Sequence, residues 1–175
     1  YVRKSVANHL NDFSKDHPDY LVDLLRGWDW EHPHTGWIAK RACRTLIKAG
    51  HGEALALFAF KTKVDAQVEK LTIAPERVKL GGSVQFTFSI RSTTKQVQQL
   101  VVDYAIHYRK AGGHSSRKVF KLKELELVPR TSFAFSKTQR IVDLSTRKHY
   151  PGVHLLEILV NGNVLAKGSF DLGTR

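Results

Sequence analysis

The chain has 175 residues, which allows one or two domains, and no stretch stays apolar long enough to cross a bilayer, so a membrane-spanning helix is excluded. Its one cysteine, Cys43, excludes an internal disulfide and indicates a reducing compartment, from which we predict a cytoplasmic location. The net charge of +12 is uneven: residues 1–66 carry 10 basic and 8 acidic side chains, whereas residues 67–175 carry 18 and 8, which favours a polyanionic partner over an inert basic surface.

Residues 1–16 are predicted to form one amphipathic helix, because apolar residues recur at spacings of three and four. The expected buried stripe consists of Val2, Val6, Leu10 and Phe13. A stripe this narrow needs neighbouring helices, and the helix opens the chain without a cap. We therefore expect the chain to be a piece of a longer helical array. Asn8 and Asp12 lie one turn apart and share a different face of this helix.

Three further helices are predicted before residue 62. Pro18 suits the first turn of the second helix, because proline lacks an N–H that this position does not need. Thr35 is a natural N-cap for a third helix that runs to about Lys48. Gly50 ends that helix, and residues 53–60 form a short last one.

The hydrophobic period changes from 3.6 to 2 near residue 67, and seven strand candidates follow. The clearest alternation of apolar and polar residues is found at Val84, Phe86, Phe88 and Ile90. The Asn161-Gly162 pair between two apolar strands predicts a hairpin with a type I′ turn. Seven short strands of this kind favour an immunoglobulin-like sandwich.

Two stretches of the helical part resemble a known family. YVRKSVANHLNDFSKDHPDYLVDLLRGW resembles the late helical repeats of the AlkC/AlkD superfamily of HEAT-like DNA alkylation repair glycosylases. TGWIAKRACRTLIKAG, followed by EALALFAF, resembles the next repeat of the AlkC branch, which carries an immunoglobulin-like domain after its repeats. The resemblance implies two domains: all-α HEAT-like helical repeats over residues 1–62, and an all-β immunoglobulin-like sandwich of about seven strands over residues 67–175.

The resemblance also implies an activity: a DNA glycosylase that excises cationic N3-alkylated bases, such as 3-methyladenine, from duplex DNA at the bacterial nucleoid. The duplex would be bent against the repeats without extrusion of the base into a deep pocket. The implied partner is alkylated duplex DNA, bound by a monomer without a membrane, metal or cofactor. Two alternatives remain open: a nucleic-acid-binding module without catalysis, and a scaffold whose sandwich edge pairs with another protein.

Excision of an alkylated base needs an anion near the sugar, because the glycosidic bond breaks through an oxocarbenium-like state. Alkylation makes the base a cationic leaving group, so little acid catalysis is required. Asp12 is our candidate catalytic carboxylate, with Asn8 beside it. The alternative for Asp12 is a surface ion pair with Lys4 or Lys15. The resemblance places Asn8 where related proteins present a lesion-contacting tryptophan, so the chain departs from that pattern.

In repeat arrays the second helix of each pair lines the concave surface, so basic residues of the first and third helices are predicted to line one groove. Arg and Lys suit phosphate oxygens by their charge and donor geometry. The DNA-binding candidates in this part are Arg3, Lys4, Asn11, Trp37, Lys40, Arg41, Arg44 and Lys48. A basic loop with two glycines adds further candidates: Arg109, Lys110, His114, Arg117 and Lys118. The alternatives are a solvated helix face and a basic hairpin tip. A second basic set of undetermined orientation comprises Lys137, Arg140, Arg147, Lys148 and His149.

The charge distribution yields a first prediction, which concerns binding to duplex DNA of arbitrary sequence. Each phosphate contact contributes about −0.9 to the slope of log affinity against log salt concentration. Several Lys and Arg contacts should therefore give a slope steeper than about −3, measured by fluorescence anisotropy. An affinity that stays constant between low and moderate salt would contradict the prediction.

Overall fold

The structure, a computed structural model, describes residues 1–145 and 148–173. The chain divides into two compact units. The first comprises Tyr1–Val64 together with the turn Asn161–Asn163. The second comprises Asp65–Val160 and the described residues that follow Asn163.

The first unit contains five short helices. They are α1 (Val2–Phe13), α2 (Pro18–Arg26), α3 (Thr35–Ala42), α4 (Arg44–Ala49) and α5 (Gly52–Ala56). Pro18 occupies the first turn of α2, as predicted. Gly50 follows α4 with a φ of 76°, a left-handed conformation that favours glycine, so this helix end is also confirmed.

The predicted buried stripe of α1 is wrong. Val2 and Val6 are 72% and 41% exposed, and the buried residues of the helix are Ala7 and Asn11. The small side chain of Ala7 allows α1 to pack closely against α3. Asn11 can be buried because its Oδ1 accepts hydrogen bonds from the N–H (3.2 Å) and Oγ1 (2.9 Å) of Thr45. The helix therefore buries a face that its apolar periodicity does not indicate.

The prediction of all-α HEAT-like repeats is also wrong. Strands hold more of the described residues than helices do, and the helices are only 12, 9, 8, 6 and 5 residues long. The helix predicted from Thr35 to Lys48 is interrupted at Cys43, where φ is −82° and ψ is 2°. Helices this short are marginal on their own, so they depend on a shared core. That core includes Leu21, Leu25, Ala39, Leu46 and Leu55.

The second unit is the two-sheet sandwich expected from residue 67 onward, with eight strands among its described residues. They are β1 (Ala66–Ala74), β2 (Arg77–Val78), β3 (Ser83–Ser92), β4 (Gln98–Arg109), β5 (Ser115–Leu127), β6 (Ser132–Arg140), β7 (Gly152–Val160) and β8 (Asn163–Leu172). One sheet has the order β1-β3-β6, and the other has the order β2-β8-β7-β4-β5. The additional strand, β2, has only two residues and pairs in parallel with β8.

Aromatic side chains join the two sheets in the core of the sandwich. Val84, Phe86, Phe88 and Ile90 are buried along β3, which confirms the alternation expected there. The ring of Phe86 lies 5.0 Å from that of Tyr104 on β4, in the opposite sheet. Such aromatic pairs add to the free energy gained from burial alone.

The turn between β7 and β8 is the predicted type I′ hairpin. Asn161 and Gly162 have φ values of 48° and 79°, and a type I′ turn requires positive φ at both central residues. Asparagine and glycine are the residues that adopt this conformation at least cost. The local sequence therefore determines the geometry of this connection.

The position of Phe86 yields a second prediction. Phe86→Ala should lower the free energy of unfolding by about 3–5 kcal/mol, because it removes a fully buried ring and leaves a cavity. Urea unfolding followed by circular dichroism measures this change. Val153→Ala is the control, since Val153 is exposed and its replacement should change stability by less than about 0.5 kcal/mol. Equal stability of the two variants would show that the core does not depend on this ring.

Candidate nucleic-acid interface

One amide oxygen holds two guanidinium groups together in the first unit. Asn8 Oδ1, on α1, accepts hydrogen bonds from Arg41 Nε at 3.1 Å and from Arg44 Nη1 at 2.9 Å. Arg41 lies in the last turn of α3, and Arg44 begins α4, on either side of the interruption at Cys43. The structure thus brings three of the predicted site residues into direct contact.

Trp37 extends this group of side chains. The guanidinium of Arg41 lies 5.6 Å from the centre of its ring, within the range of a cation–π interaction. Trp37 is 50% exposed, which is unusual for a tryptophan and leaves the ring accessible for stacking. A shallow cavity of about 290 Å³ is lined by Tyr1, Arg3, Lys4 and Trp37.

Arg3 has a partner that the sequence does not reveal. Its Nη1 lies 2.8 Å from Nδ1 of His34, which is 31 positions away. An arginine can only donate, so Nδ1 of His34 must be the unprotonated nitrogen in this contact. His34 therefore helps to position Arg3, one of the residues predicted to bind phosphate.

Three of the predicted DNA-binding residues contact other parts of the helical unit or are partly buried. Lys40 Nζ lies 5.8 and 5.4 Å from the ring centres of Phe58 and Phe60. Asn11 is buried against Thr45 and supports packing of the helices. Lys48, on α4, is half-buried.

Asp12 is exposed and forms an ion pair with Lys15 at 2.8 Å. The hydrogen bond and the charge of Lys15 hold the pKa of Asp12 below its usual value, and the charge of Arg44 lowers it further. The carboxylate is therefore ionised at neutral pH. It can stabilise positive charge, but it cannot act as a general acid there.

In the second unit, the turn between β4 and β5 forms a basic concave surface. Within the turn, the backbone N–H of Lys110 donates to the carbonyl of His114 at 2.9 Å, and Gly113 has a φ of 81°. The turn and a neighbouring segment line a cavity of about 400 Å³. The lining residues are Lys110, Ala111, Gly112, His114, Ser145, Lys148 and Tyr150.

The second basic set is divided by the structure. Lys148 joins the β4–β5 turn in lining this cavity. His149 is buried, with its N–H donating to Asp143 Oδ1 at 2.9 Å. Lys137 and Arg140 lie exposed on β6, and Arg147 lies outside the described residues.

Two of the cations that flank the turn contact residues of the sheet and remain exposed. The guanidinium of Arg109 packs over Gly152, where an added Cβ would come within 2.6 Å of Nη1. The N–H of Arg109 donates to Nδ1 of His154 at 3.4 Å, and burial lowers the pKa of this histidine. Lys118 Nζ lies 5.5 Å above the ring of Phe120. Arg109, Arg117 and Lys118 are nevertheless exposed, so both the turn and its flanks are accessible.

Glu157, a buried carboxylate on β7, anchors Arg117. Arg117 Nε donates to Glu157 Oε2 at 2.9 Å, His107 Nε2 lies 3.3 Å from the same oxygen, and Lys167 Nζ lies 3.8 Å from Oε1. Burial alone would raise the pKa of Glu157, but the hydrogen bonds and charges of Arg117 and His107 lower it below its usual value. The charge of Arg117 is thus partly neutralised by Glu157.

The described residues contain neither a cluster of metal ligands nor an ionised cysteine. Across residues 1–145 and 148–173, no group of three His, Cys, Asp or Glu side chains is placed to hold a metal ion. Burial raises the pKa of the Cys43 thiol to about 11, so it is protonated at neutral pH. No described helix has the length and apolar character needed to cross a membrane.

Fold and charge together define a class: a basic immunoglobulin-like sandwich accompanied by a nearly neutral helical unit. Residues 67–174 match the family described as "Uncharacterised protein YhaZ, C-terminal Ig-like domain". The chain therefore belongs to this family.

Two relatives match almost the whole chain. The uncharacterized protein YhaZ of Bacillus subtilis is 44% identical over 171 residues, which cover 98% of this chain and 47% of YhaZ. The solved structure of the alkylpurine DNA glycosylase AlkC of Pseudomonas fluorescens, bound to DNA containing an abasic site analog, is 46% identical with a TM-score of 0.95. That match covers 99% of this chain and 48% of AlkC, so the chain spans about half the length of both relatives. The resemblance to the AlkC branch is confirmed.

A third similarity concerns the fold alone. The β-glucosidase EmGH1 of Erythrobacter marinus is 14% identical with a TM-score of 0.52, over 62% of this chain and 15% of the enzyme. At this identity the match reflects a common sandwich architecture, which many unrelated proteins share.

The pair formed by Arg117 and Glu157 yields a third prediction. Arg117→Ala should lower the free energy of unfolding by about 1–2 kcal/mol at pH 7, because a buried carboxylate loses a charged donor. A depressed pKa contributes stability above the usual value of 4.5 that is lost as pH falls through the folded-state pKa. The difference between variant and parent should therefore shrink as the pH falls below 4.5 in urea unfolding experiments.

Lys110→Ala is the matched control, since Lys110 lies in the same hairpin and lines the open cavity. It should leave the free energy of unfolding within about 0.5 kcal/mol of the parent, both at pH 7 and below pH 4.5. A loss for Arg117→Ala that is independent of pH would show that Glu157 is not the group it stabilises.

Proposed function

We propose that the chain is part of a DNA glycosylase that removes alkylated purines, and that it supplies contacts to duplex DNA. The observation that carries the proposal is the match to AlkC over 99% of the chain with a TM-score of 0.95. An abasic site is what remains after a glycosylase has released a base, so the DNA bound by that relative represents its product.

Two basic surfaces support DNA binding. The first consists of Arg3, Lys4, Arg41 and Arg44 with the exposed ring of Trp37. The second is the β4–β5 turn with Lys110, His114 and Lys148. Both combine positive charge with polar or aromatic groups, which is typical of surfaces that contact the phosphate backbone without reading sequence.

The proposed substrate is a cationic N3-alkylated base of the 3-methyladenine type. The positive charge of such a base makes it a good leaving group, so the protein mainly has to stabilise the cation that develops on the sugar. Asp12 is ionised and exposed, which suits this electrostatic role. Its ion pair with Lys15 would have to open, because a neutralised carboxylate stabilises a sugar cation less.

A second candidate function is DNA binding without catalysis. The Asp12–Lys15 pair favours this alternative, since i, i+3 ion pairs are ordinary features of exposed helix surfaces. Base release distinguishes the two functions, because both bind DNA.

A chimera tests catalysis directly. In the P. fluorescens enzyme, the segment that matches this chain would be replaced by the 175 residues, and release of 3-methyladenine from alkylated duplex DNA would be measured. We expect the chimera to be active. Asp12→Asn should lower its rate by about 10²- to 10³-fold, the typical cost of losing one electrostatic stabiliser. The chain alone should release the base far more slowly than the chimera.

Asp16→Asn is the matched control, because Asp16 is also exposed and lies one turn further along the chain. It should leave the rate unchanged. An active chimera with equal rates for both variants would remove Asp12 from the mechanism. A chimera that binds DNA but releases no base would favour the function without catalysis.

A further inference from the structure

The contact between Asn8 and two arginines suggests a role for this asparagine other than catalysis. Its Oδ1 already accepts two hydrogen bonds, from Arg41 Nε and Arg44 Nη1. A carbonyl oxygen has two lone pairs, so no acceptor capacity remains for a water molecule or a base. We therefore expect Asn8 Oδ1 to influence a ligand indirectly, through the positions of Arg41 and Arg44.

The two guanidinium groups lack a carboxylate partner. Among the described residues, neither Arg41 nor Arg44 forms an ion pair within 4.0 Å of an Asp or Glu oxygen. Arg44 does influence Asp12 through its charge, but the hydrogen bond of that carboxylate goes to Lys15. Two cations that share one neutral dipole leave a net positive site, which an anion would stabilise.

The remaining donors suit a phosphodiester. Each guanidinium has five N–H groups in a fixed planar arrangement, and Asn8 uses one from each. The others can reach the two non-bridging oxygens of a single phosphate, the geometry that arginine favours. The ring of Trp37, 5.6 Å from the guanidinium carbon of Arg41, further restricts this side chain.

We propose that Asn8 is a positioning residue that holds Arg41 and Arg44 in advance as a clamp for one phosphodiester of the duplex. The proposal rests on the DNA-binding function proposed above. Long arginine side chains lose conformational freedom when they bind, and fixing them beforehand reduces that loss. The phosphate would in turn relieve the repulsion between the two cations.

The experiment compares duplex DNA binding by the 175-residue chain and its variants in a salt series, using fluorescence anisotropy. Asn8→Ala should weaken binding about 3- to 10-fold, since both charges remain but lose their fixed positions. Asn8→Asp should weaken it more, because a carboxylate would neutralise the arginines. Asn8→Gln keeps the carbonyl acceptor and should recover part of the loss.

A double-mutant cycle tests whether Asn8 affects DNA affinity through Arg41 and Arg44. The variant R41A/R44A should flatten the salt slope by about one, as expected for a single lost phosphate contact. In that background Asn8→Ala should have no further effect on affinity, because nothing remains for it to position. Ser14→Ala is the matched control: it removes a buried hydroxyl at the end of α1 that donates to the carbonyl of Asn11, and should lower stability without changing the affinity of the folded chain.

A readout without DNA completes the test. The Hε signal of Arg41 in the NMR spectrum should be protected from exchange in the parent and lost in Asn8→Ala. Unchanged affinity of Asn8→Ala, or an equal loss in the R41A/R44A background, would overturn the positioning role and leave the DNA-binding function intact. Absence of any salt-dependent DNA binding by the parent would overturn both.

Discussion

Positive charges repel each other, and the chain must hold concentrated cations without neutralising all of them. Two atoms that each lie about 3 Å from Asn8 Oδ1 are at most about 6 Å apart, where two unit charges repel by about 1–3 kcal/mol at an effective dielectric constant of 80–20. In the first unit, a neutral amide dipole offsets this repulsion. In the second unit, the buried carboxylate of Glu157 does so for Arg117 and Lys167. The first arrangement keeps its charge available to a ligand, and the second uses much of it for stability.

Local patterns in the sequence predict the elements whose geometry is local. The alternation along β3 identifies the buried face of that strand. Asn161-Gly162 specifies the turn between β7 and β8, because only certain residues tolerate the φ values of this turn. Gly50 marks a helix end for the same reason. These features depend on neighbouring residues, so a single sequence contains enough information to place them.

The failures involve contacts between residues far apart in the chain. Asn11 is buried because it meets Thr45, 34 positions away, and no periodicity within α1 indicates such a partner. The same applies to Asn8, whose partners lie 33 and 36 positions away. The sequence therefore identifies candidate side chains by their chemistry, but not which of them bind one another. The single helix predicted from Thr35 to Lys48 was wrong because the apolar spacing continues through Cys43, whereas the helical backbone does not.

The burial of Cys43 has a consequence for chemical labelling. Its side chain is inaccessible, and with a pKa of about 11 only about one thiol in 10⁴ is ionised at pH 7. Maleimides and similar reagents attack thiolates that they can reach, so the folded chain is expected to remain unmodified. A cysteine introduced at an exposed position such as Val153 would then be the reactive thiol of the native protein. A fluorophore or spin label could be attached at a chosen point while the native cysteine stays in place.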